Sequence, residues 1–279
     1  MNKHKLTIVT VVLNAADTIR DCIESVLAQN YLAEHIIIDG GSTDNTLEII
    51  KEYDSKHYRL VSEPDSGIYD AMNKGIGLAT GDVIGLLNAD DIYAGPYILS
   101  KVARVFSEKN VESCYGDLVY VREKRRPKVK GERLKGGDAG GQRAEVEDLI
   151  GKNYRIVRYW KSGDYKPGKF YWGWMPPHPT FFVRRAIYEK YGLFNDDLGS
   201  AADYELMLRF LLKNRISAAY IPEMLVKMRV GGASNASLTK RIKANKMDRR
   251  AWEVNGLRPY PWTLWMKPLR KVGQFFSKP

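Results

Sequence analysis

Continuous apolar runs alternate with amphipathic stretches through the first half of this chain, and that alternation restricts the fold more than any other feature. Leu6–Leu13 is β-rich throughout, which suits a parallel strand buried on both faces. Asp17 or Thr18 can cap the helix that follows, in which Ile19, Ile23, Val26 and Leu27 share one face. His35–Ile38 reads as a second strand, and Ser42-Thr43-Asp44 opens a helix through Tyr53. Tyr58–Val61 is a short strand, Tyr69–Leu78 a helix, Val83–Leu87 a strand, Pro96–Ser107 a helix and Ser113–Val121 a strand. Repeated β–α units imply an α/β fold: a mainly parallel sheet flanked by helices.

The pattern stops at residues 122–170, which are rich in Lys, Arg and Gly and have no clear period. Order resumes with a strand at His178–Arg184, a short helix to Tyr191, an amphipathic helix at Ala202–Asn214, and strands at Ser217–Ile221 and Leu225–Val230. Ser237–Trp252 reads as a basic helix, followed by a Pro- and Trp-rich tail.

With 279 residues and 44% hydrophobic content, the chain can bury a sizeable core. It has no run of 18 apolar residues and no signal-like N-terminus, so the expected location is the cytoplasm. Cys22 and Cys114 are too few and too distant for a disulfide framework or a zinc site, and read as core residues. The net charge of +11 is concentrated: residues 122–135 carry eight Lys/Arg against two Glu, and residues 240–279 eleven against one Asp and one Glu. The remainder is slightly acidic. Such patches suit anionic lipid, nucleic acid or phosphate-bearing substrates. A nucleic-acid partner is not expected, because the acidic strand ends would repel phosphates without a metal.

Those strand ends carry the chemistry. The run Val83–Leu87 ends in Asn88-Ala89-Asp90-Asp91. Adjacent acids at the edge of an open α/β sheet repel unless a cation sits between them, and hard oxygen donors suit magnesium or manganese. The alternative is a polar turn with Asp91 capping the next helix. The second strand ends in Asp39-Gly40-Gly41-Ser42-Thr43-Asp44, where backbone can approach a ligand closely and Asp39 can accept from a nucleobase or ribose. A turn capped by Ser42 fits the same residues. Gly75-Ile76-Gly77-Leu78-Ala79-Thr80-Gly81 follows a helix and precedes a strand, the reverse of a dinucleotide fingerprint.

Taken together, Val11-Val12-Leu13-Asn14, Asp39–Thr46, Ser62–Gly75 and Asn88–Asp91 resemble the family 2 glycosyltransferases of GT-A fold, in particular those that build bacterial O-antigen and other surface polysaccharides. The resemblance covers roughly residues 5–115, weakens over 178–230, and does not reach the basic insertion or tail. It implies roles by position. Thr10, Val12 and Asn14 would line the nucleobase pocket, with Asp39 as polar anchor; Asp70, Asn73 and Asn88 would face the nucleotide. Asp90 would contact the ribose and Mn2+ or Mg2+, and Asp91 would ligate the metal. The sequence departs from the family pattern at Asn88 and Gly40, where acids are common, and at Met72, where Arg is common; Lys74 is the candidate replacement contact.

Inverting transfer also needs a general base. Asp203, in Ala202-Asp203-Tyr204-Glu205-Leu206, falls at a helix start, where it could merely favour the helix dipole. The resemblance assigns it the base, with Glu205 as fallback. His178 is a candidate acceptor or diphosphate contact. The tail from Arg258 to Phe276 mixes aromatic and basic residues, which suits either a membrane interface or packing on its own domain. The expected organisation is a catalytic domain over 1–235, with a nucleotide-sugar half at 1–115 and an acceptor half at 116–235, then a basic aromatic tail over 236–279. The expected function is transfer from a nucleoside-diphosphate sugar, a UDP-sugar foremost, to a lipid-linked oligosaccharide at the inner face of the cytoplasmic membrane. The rival is a non-catalytic scaffold of the same fold.

Overall fold

The computed structural model describes residues 4–123, 154–230 and 238–274. Nine strands among these residues form one sheet in the order β3-β2-β1-β4-β8-β6-β9-β5, with β7 paired to β6. The strands are β1 Leu6–Val12, β2 Glu34–Asp39, β3 Arg59–Ser62, β4 Val83–Asn88, β5 Asp91–Tyr93, β6 Ser113–Glu123, β7 Tyr154–Trp160, β8 Phe182–Arg184 and β9 Ala218–Arg229. β3, β2, β1 and β4 run parallel, so their C-terminal ends share one edge. Every residue of β1 is buried, as its unbroken apolar run requires.

Helices α1 (Ile19–Leu27), α2 (Thr46–Lys51), α3 (Ile68–Leu78) and α4 (Ile98–Lys109) supply the crossovers of the first half. In the second half, α5 (Arg185–Tyr191) leads to α6 (Ala202–Met207), which continues as a wider π-type turn over Leu208–Lys213. Helices α7 (Leu238–Val254) and α8 (Thr263–Gly273) follow.

Two features depart from the sequence reading, and the third is one of the two alternatives that reading left open for the tail. First, β9 is one strand, not two. It runs through Pro222, whose missing N–H is accommodated by a shift in the β6–β9 register between Tyr115 and Leu118. Second, the insertion contains β7. Buried Asp117 organises it, accepting from the Tyr159 hydroxyl, from Ser162 N at 2.8 Å and from the Tyr220 hydroxyl at 2.8 Å. The most basic stretch of the insertion lies outside the described residues. Third, the tail forms α8 and packs on the body. Trp252 and Leu264 are buried in the same apolar cluster as Val9 and Ile38. Gly173 turns with φ +73° where the α8 backbone at Lys267 approaches too closely for any side chain. The end of α8 is tied to β7 through Arg158 Nε–Gln274 Oε1 (2.7 Å) and Tyr159 N–Gln274 O (3.0 Å). Residues on both sides of the expected 235/236 boundary belong to that one apolar cluster.

Cys22 and Cys114 are free and buried. No helix among the described residues is long and apolar enough to cross a membrane.

Candidate active site

The parallel strands deliver their ends to one edge, and two acidic corners face it. At the first, β4 ends at Asn88 and the chain turns through Asp90 into β5. Asp91 opens β5 and pairs in register with Met228, so it caps no helix. It is fully buried, and its Oδ2 accepts from Asn88 Nδ2 at 3.0 Å. Asp91 Oδ1 and Asn88 Oδ1 are buried without a hydrogen-bond partner. Burial and the neighbouring Asp90 push the Asp91 carboxyl well above the usual carboxylate range, and burial raises Asp90 as well. Orphaned hard oxygens beside two destabilised carboxylates fit a divalent cation such as Mn2+ or Mg2+. No cluster of three or more His, Cys, Asp or Glu among the described residues could hold a metal. The protein donors would be Asn88, Asp90 and Asp91, leaving coordination positions for a diphosphate. Arg229, largely buried at the end of β9, bears on both acids and binds Asp21 and Tyr154 through Nη2.

Beside this corner, the first two strand ends are knitted to each other. Asn14 adopts φ +50° and accepts through Oδ1 from Thr43 N at 2.8 Å, while its own N–H donates to Ser42 Oγ at 2.8 Å. Several residues expected to touch a nucleotide are engaged elsewhere. Thr10 is buried, its hydroxyl 2.9 Å from His35 Nε2, and Val12 is buried in an apolar cluster with Ile19 and Ile37. A strand covered on both faces has no side chain to offer a ligand until it ends, here at Asn14. Asp39 is also buried. It accepts from Gly41 N (3.2 Å), Ser42 N (3.2 Å) and Ser62 Oγ (2.7 Å), bonds that shape the turn.

Asp70, Asn73 and Lys74 on α3 are positioning groups. Asp70 accepts from Ser66 N at 3.0 Å and pairs with Lys74 at 3.4 Å. Lys74 also reaches Glu63 (3.0 Å) and Pro64 O (3.1 Å), latching the β3–α3 loop. Asn73 bonds both N and O of Phe194 with its amide, at 2.9 and 3.0 Å.

The second corner is the start of α6. Asp203 is half-buried and accepts from Tyr204 N at 2.6 Å. Its backbone meets the Tyr69 hydroxyl, and burial together with the Asp203 charge raises that phenol. His178 is half-buried in a 3₁₀ turn, His178–Thr180, where a strand was expected, with its ring edge-on to Phe194 at 5.4 Å. Burial lowers the His178 pKa, and Asp203 opposes that. Tyr120 of β6 connects the corners. Burial raises it, and both Asp91 and Asp203 add to the effect, while the Arg158 guanidinium 4.3 Å from its ring works against it. Tyr120 and Arg158 carried no sequence signal, being an ordinary strand aromatic and one cation among many.

Glu205, the fallback base, is 3% exposed and grips Arg209 with both oxygens at 3.0 Å, while Asn255 Nδ2 donates to Oε1 at 3.1 Å. That buried pair is structural. Glu205→Ala leaves the guanidinium charge without a counter-ion among the described residues, held only by the carbonyls of Tyr191 and Leu193, and chemical denaturation should show a loss of about 3 kcal/mol. A loss below 1 kcal/mol would contradict this role.

The family profile described as Glycosyl transferase family 2 matches residues 7–192. The chain belongs to that family. Among relatives of this family 2 glycosyltransferase, an uncharacterized glycosyltransferase of Mycobacterium tuberculosis is 30% identical over 210 residues, covering 74% of this chain and 69% of the relative. The glycosyltransferase YibD of Escherichia coli is 36% identical over 118 residues, which is 41% of this chain and 34% of YibD. The fold is GT-A. S. aureus TarS 1-349 in complex with UDP-GlcNAc superposes with a TM-score of 0.65 at 15% identity, covering 98% of this chain and 73% of that one. A Pyrobaculum calidifontis mannosyltransferase in complex with GDP-Man and Mn2+ gives 0.62 at 16% identity, covering 96% and 73%. Against a longer TarS structure, the chain spans 44% of the length.

Proposed function

We propose that this chain is a metal-dependent inverting glycosyltransferase. It moves a sugar from a nucleoside-diphosphate sugar, a UDP-sugar foremost, to a lipid-linked saccharide acceptor in surface-polysaccharide synthesis. The observation that carries this reading is the pairing of two acidic corners, whose Asp91 and Asp203 both bear on one phenol, Tyr120, with buried Asp91 Oδ1 and Asn88 Oδ1 lacking a hydrogen-bond partner. Bound at the first corner, Mn2+ or Mg2+ would neutralise the diphosphate leaving group. Asp203 accepts the proton of the attacking acceptor hydroxyl, and His178 and Tyr69 surround it. Relatives of the fold that bind UDP-GlcNAc, or GDP-Man with Mn2+, support the donor class.

Titrating the purified chain calorimetrically with UDP, GDP and dTDP, each with and without Mn2+, tests the reading. Manganese-dependent binding of one of them is the expected result. If a folded sample binds none, the non-catalytic scaffold takes precedence.

The same reading puts the chain on the inner face of the cytoplasmic membrane through α8. Leu264 faces the core, while Trp265 is 71% and Leu269 60% exposed on the other side. Trp262 and Trp172 extend this face, their rings 5.9 Å apart, and Arg270 and Lys271 are exposed beside it. Aromatic groups flanked by cations suit an anionic lipid surface. Trp265→Ser with Leu269→Ser should lower binding to phosphatidylglycerol vesicles by about tenfold or more, from the lost apolar burial, without changing nucleotide affinity. Unchanged vesicle binding would move the contact to another surface.

A further inference from the structure

We propose that Lys271 of α8, together with Arg158 of β7, seats the phosphate that joins the acceptor sugar to its lipid. This rests on the glycosyltransferase reading above and adds to it the residues that recognise the acceptor. The spacing on α8 fixes the direction of Lys271. Leu264, Lys267, Lys271 and Gln274 follow one another at intervals of three, four and three residues, which places them on one stripe. Leu264 is buried in the core. Lys267 pairs with Asp248 at 2.7 Å, and its ammonium lies 3.7 Å from the centre of the Tyr204 ring. Gln274 accepts from Arg158 Nε at 2.7 Å. Lys271 stands between these last two anchors, turned away from the side of α8 that carries Trp265 and Leu269.

Among the described residues Lys271 forms no ion pair, and Asp248 beside it is engaged by Lys267. Its other neighbours are cations. Protein atoms crowding the Lys271 ammonium lower its pKa, and Lys267 and Arg158 lower it further, opposed by Asp248 and Asp203. Arg158 is oriented by Gln274 and by two rings, its guanidinium lying 4.3 Å from that of Tyr120 and 5.7 Å from that of Trp160. Like charges gathered in a partly desolvated place repel unless an anion joins them. Lys271 remains open to solvent, so an anion can reach it.

The anion belongs to the acceptor because of where these cations stand. Lys271 bears on Asp203, whereas the cation that bears on both Asp90 and Asp91 is Arg229. An anion held by Lys271 therefore accompanies the molecule whose hydroxyl Asp203 deprotonates, not the nucleotide. The outer side of α8 exposes Trp265 and Leu269. With that side on lipid, a phosphate met by the inner side sits where a lipid-linked substrate leaves the bilayer. The planar guanidinium fork and the compact ammonium suit the several oxygens of one phosphate.

The test is calorimetry on the full chain in metal-free buffer, with geranyl diphosphate and geraniol as probes. Without metal the Asn88–Asp91 corner repels a diphosphate, so binding reports the second site. Wild type should bind geranyl diphosphate and prefer it strongly to geraniol. Lys271→Met keeps the length of the side chain and removes its charge. It should weaken geranyl diphosphate binding by about ten- to a hundredfold, the range for a hydrogen bond to a charged group. Lys271→Arg should restore most of that affinity, an order that a loss of packing alone would not produce. UDP affinity in Mn2+ should be the same in all three proteins. Absent binding in wild type, equal binding of geraniol, or unchanged binding in Lys271→Met overturns the proposal. So does an equal loss of UDP affinity, which would assign these cations to the donor, or an equal loss of binding to phosphatidylglycerol vesicles, which would make bulk lipid headgroups the anion. Wild type that binds none of UDP, GDP and dTDP with Mn2+ overturns the glycosyltransferase reading itself, whatever the geranyl probes do.

Discussion

Asp203→Asn lowers turnover by about 10²–10⁴-fold, the usual contribution of a positioned general base, and leaves donor and metal binding intact. The amide retains the size of the carboxylate and can still accept from Tyr204 N, so the start of α6 keeps its shape. It cannot take a proton from an acceptor hydroxyl. Because Asp203 lies on α6, away from the Asn88–Asp91 turn, the loss should appear in kcat with little change in the affinity for UDP and Mn2+. Steady-state kinetics combined with the calorimetric titration separates the two. Near-wild-type turnover would remove Asp203 from the mechanism, and a parallel loss of nucleotide affinity would reassign it to the donor site.

The second large effect is at Asp91, where function and stability should move in opposite directions. Asp91→Asn removes a charge from the proposed metal ligands and should abolish the manganese-dependent part of nucleotide binding. The same change should stabilise the metal-free chain by about 0.5–2 kcal/mol, because a buried carboxylate with one oxygen unpartnered is replaced by a neutral group. The sign follows from linkage. A carboxyl raised above its unfolded value favours the folded state while protonated, and that advantage is lost as pH rises from the ordinary carboxylate range toward the raised value. Metal-free wild type should therefore lose part of its stability between acidic and neutral pH, and the Asn variant should lose less. Thermal melts in chelator at pH 5 and pH 8 measure the difference. Identical pH slopes in the two proteins would show that Asp91 is not the destabilised group.

Much of this site could be read from the sequence because acids that end an apolar strand have few other reasons to be there. Asn88, Asp90 and Asp91 fall together as that pattern implies, and the alternating first half gave the parallel sheet. The burial of Thr10 and Val12, expected to line the base pocket, was hard to read for a related reason. A strand buried on both faces gives no alternation from which to tell a ligand-facing residue from a core one. The bonding of Asn73 to Phe194 could not be read because the two are 121 residues apart. Helix α8 was obscured by Pro268 within it, since an interior proline ordinarily argues against a helix.

Trp252 and Leu264 complete the apolar cluster to which Val9 of β1 also belongs. Closing that cluster joins residues separated by most of the chain, a high-contact-order event that is intrinsically slow. During synthesis α6 and the 167–172 turn must therefore wait, with Tyr204 and Tyr171 uncovered, until Trp252 and α8 have emerged. A chain cut after residue 235 would keep Tyr204 and Tyr171 exposed, so aggregation of such a fragment on refolding is the direct consequence of where these two side chains sit.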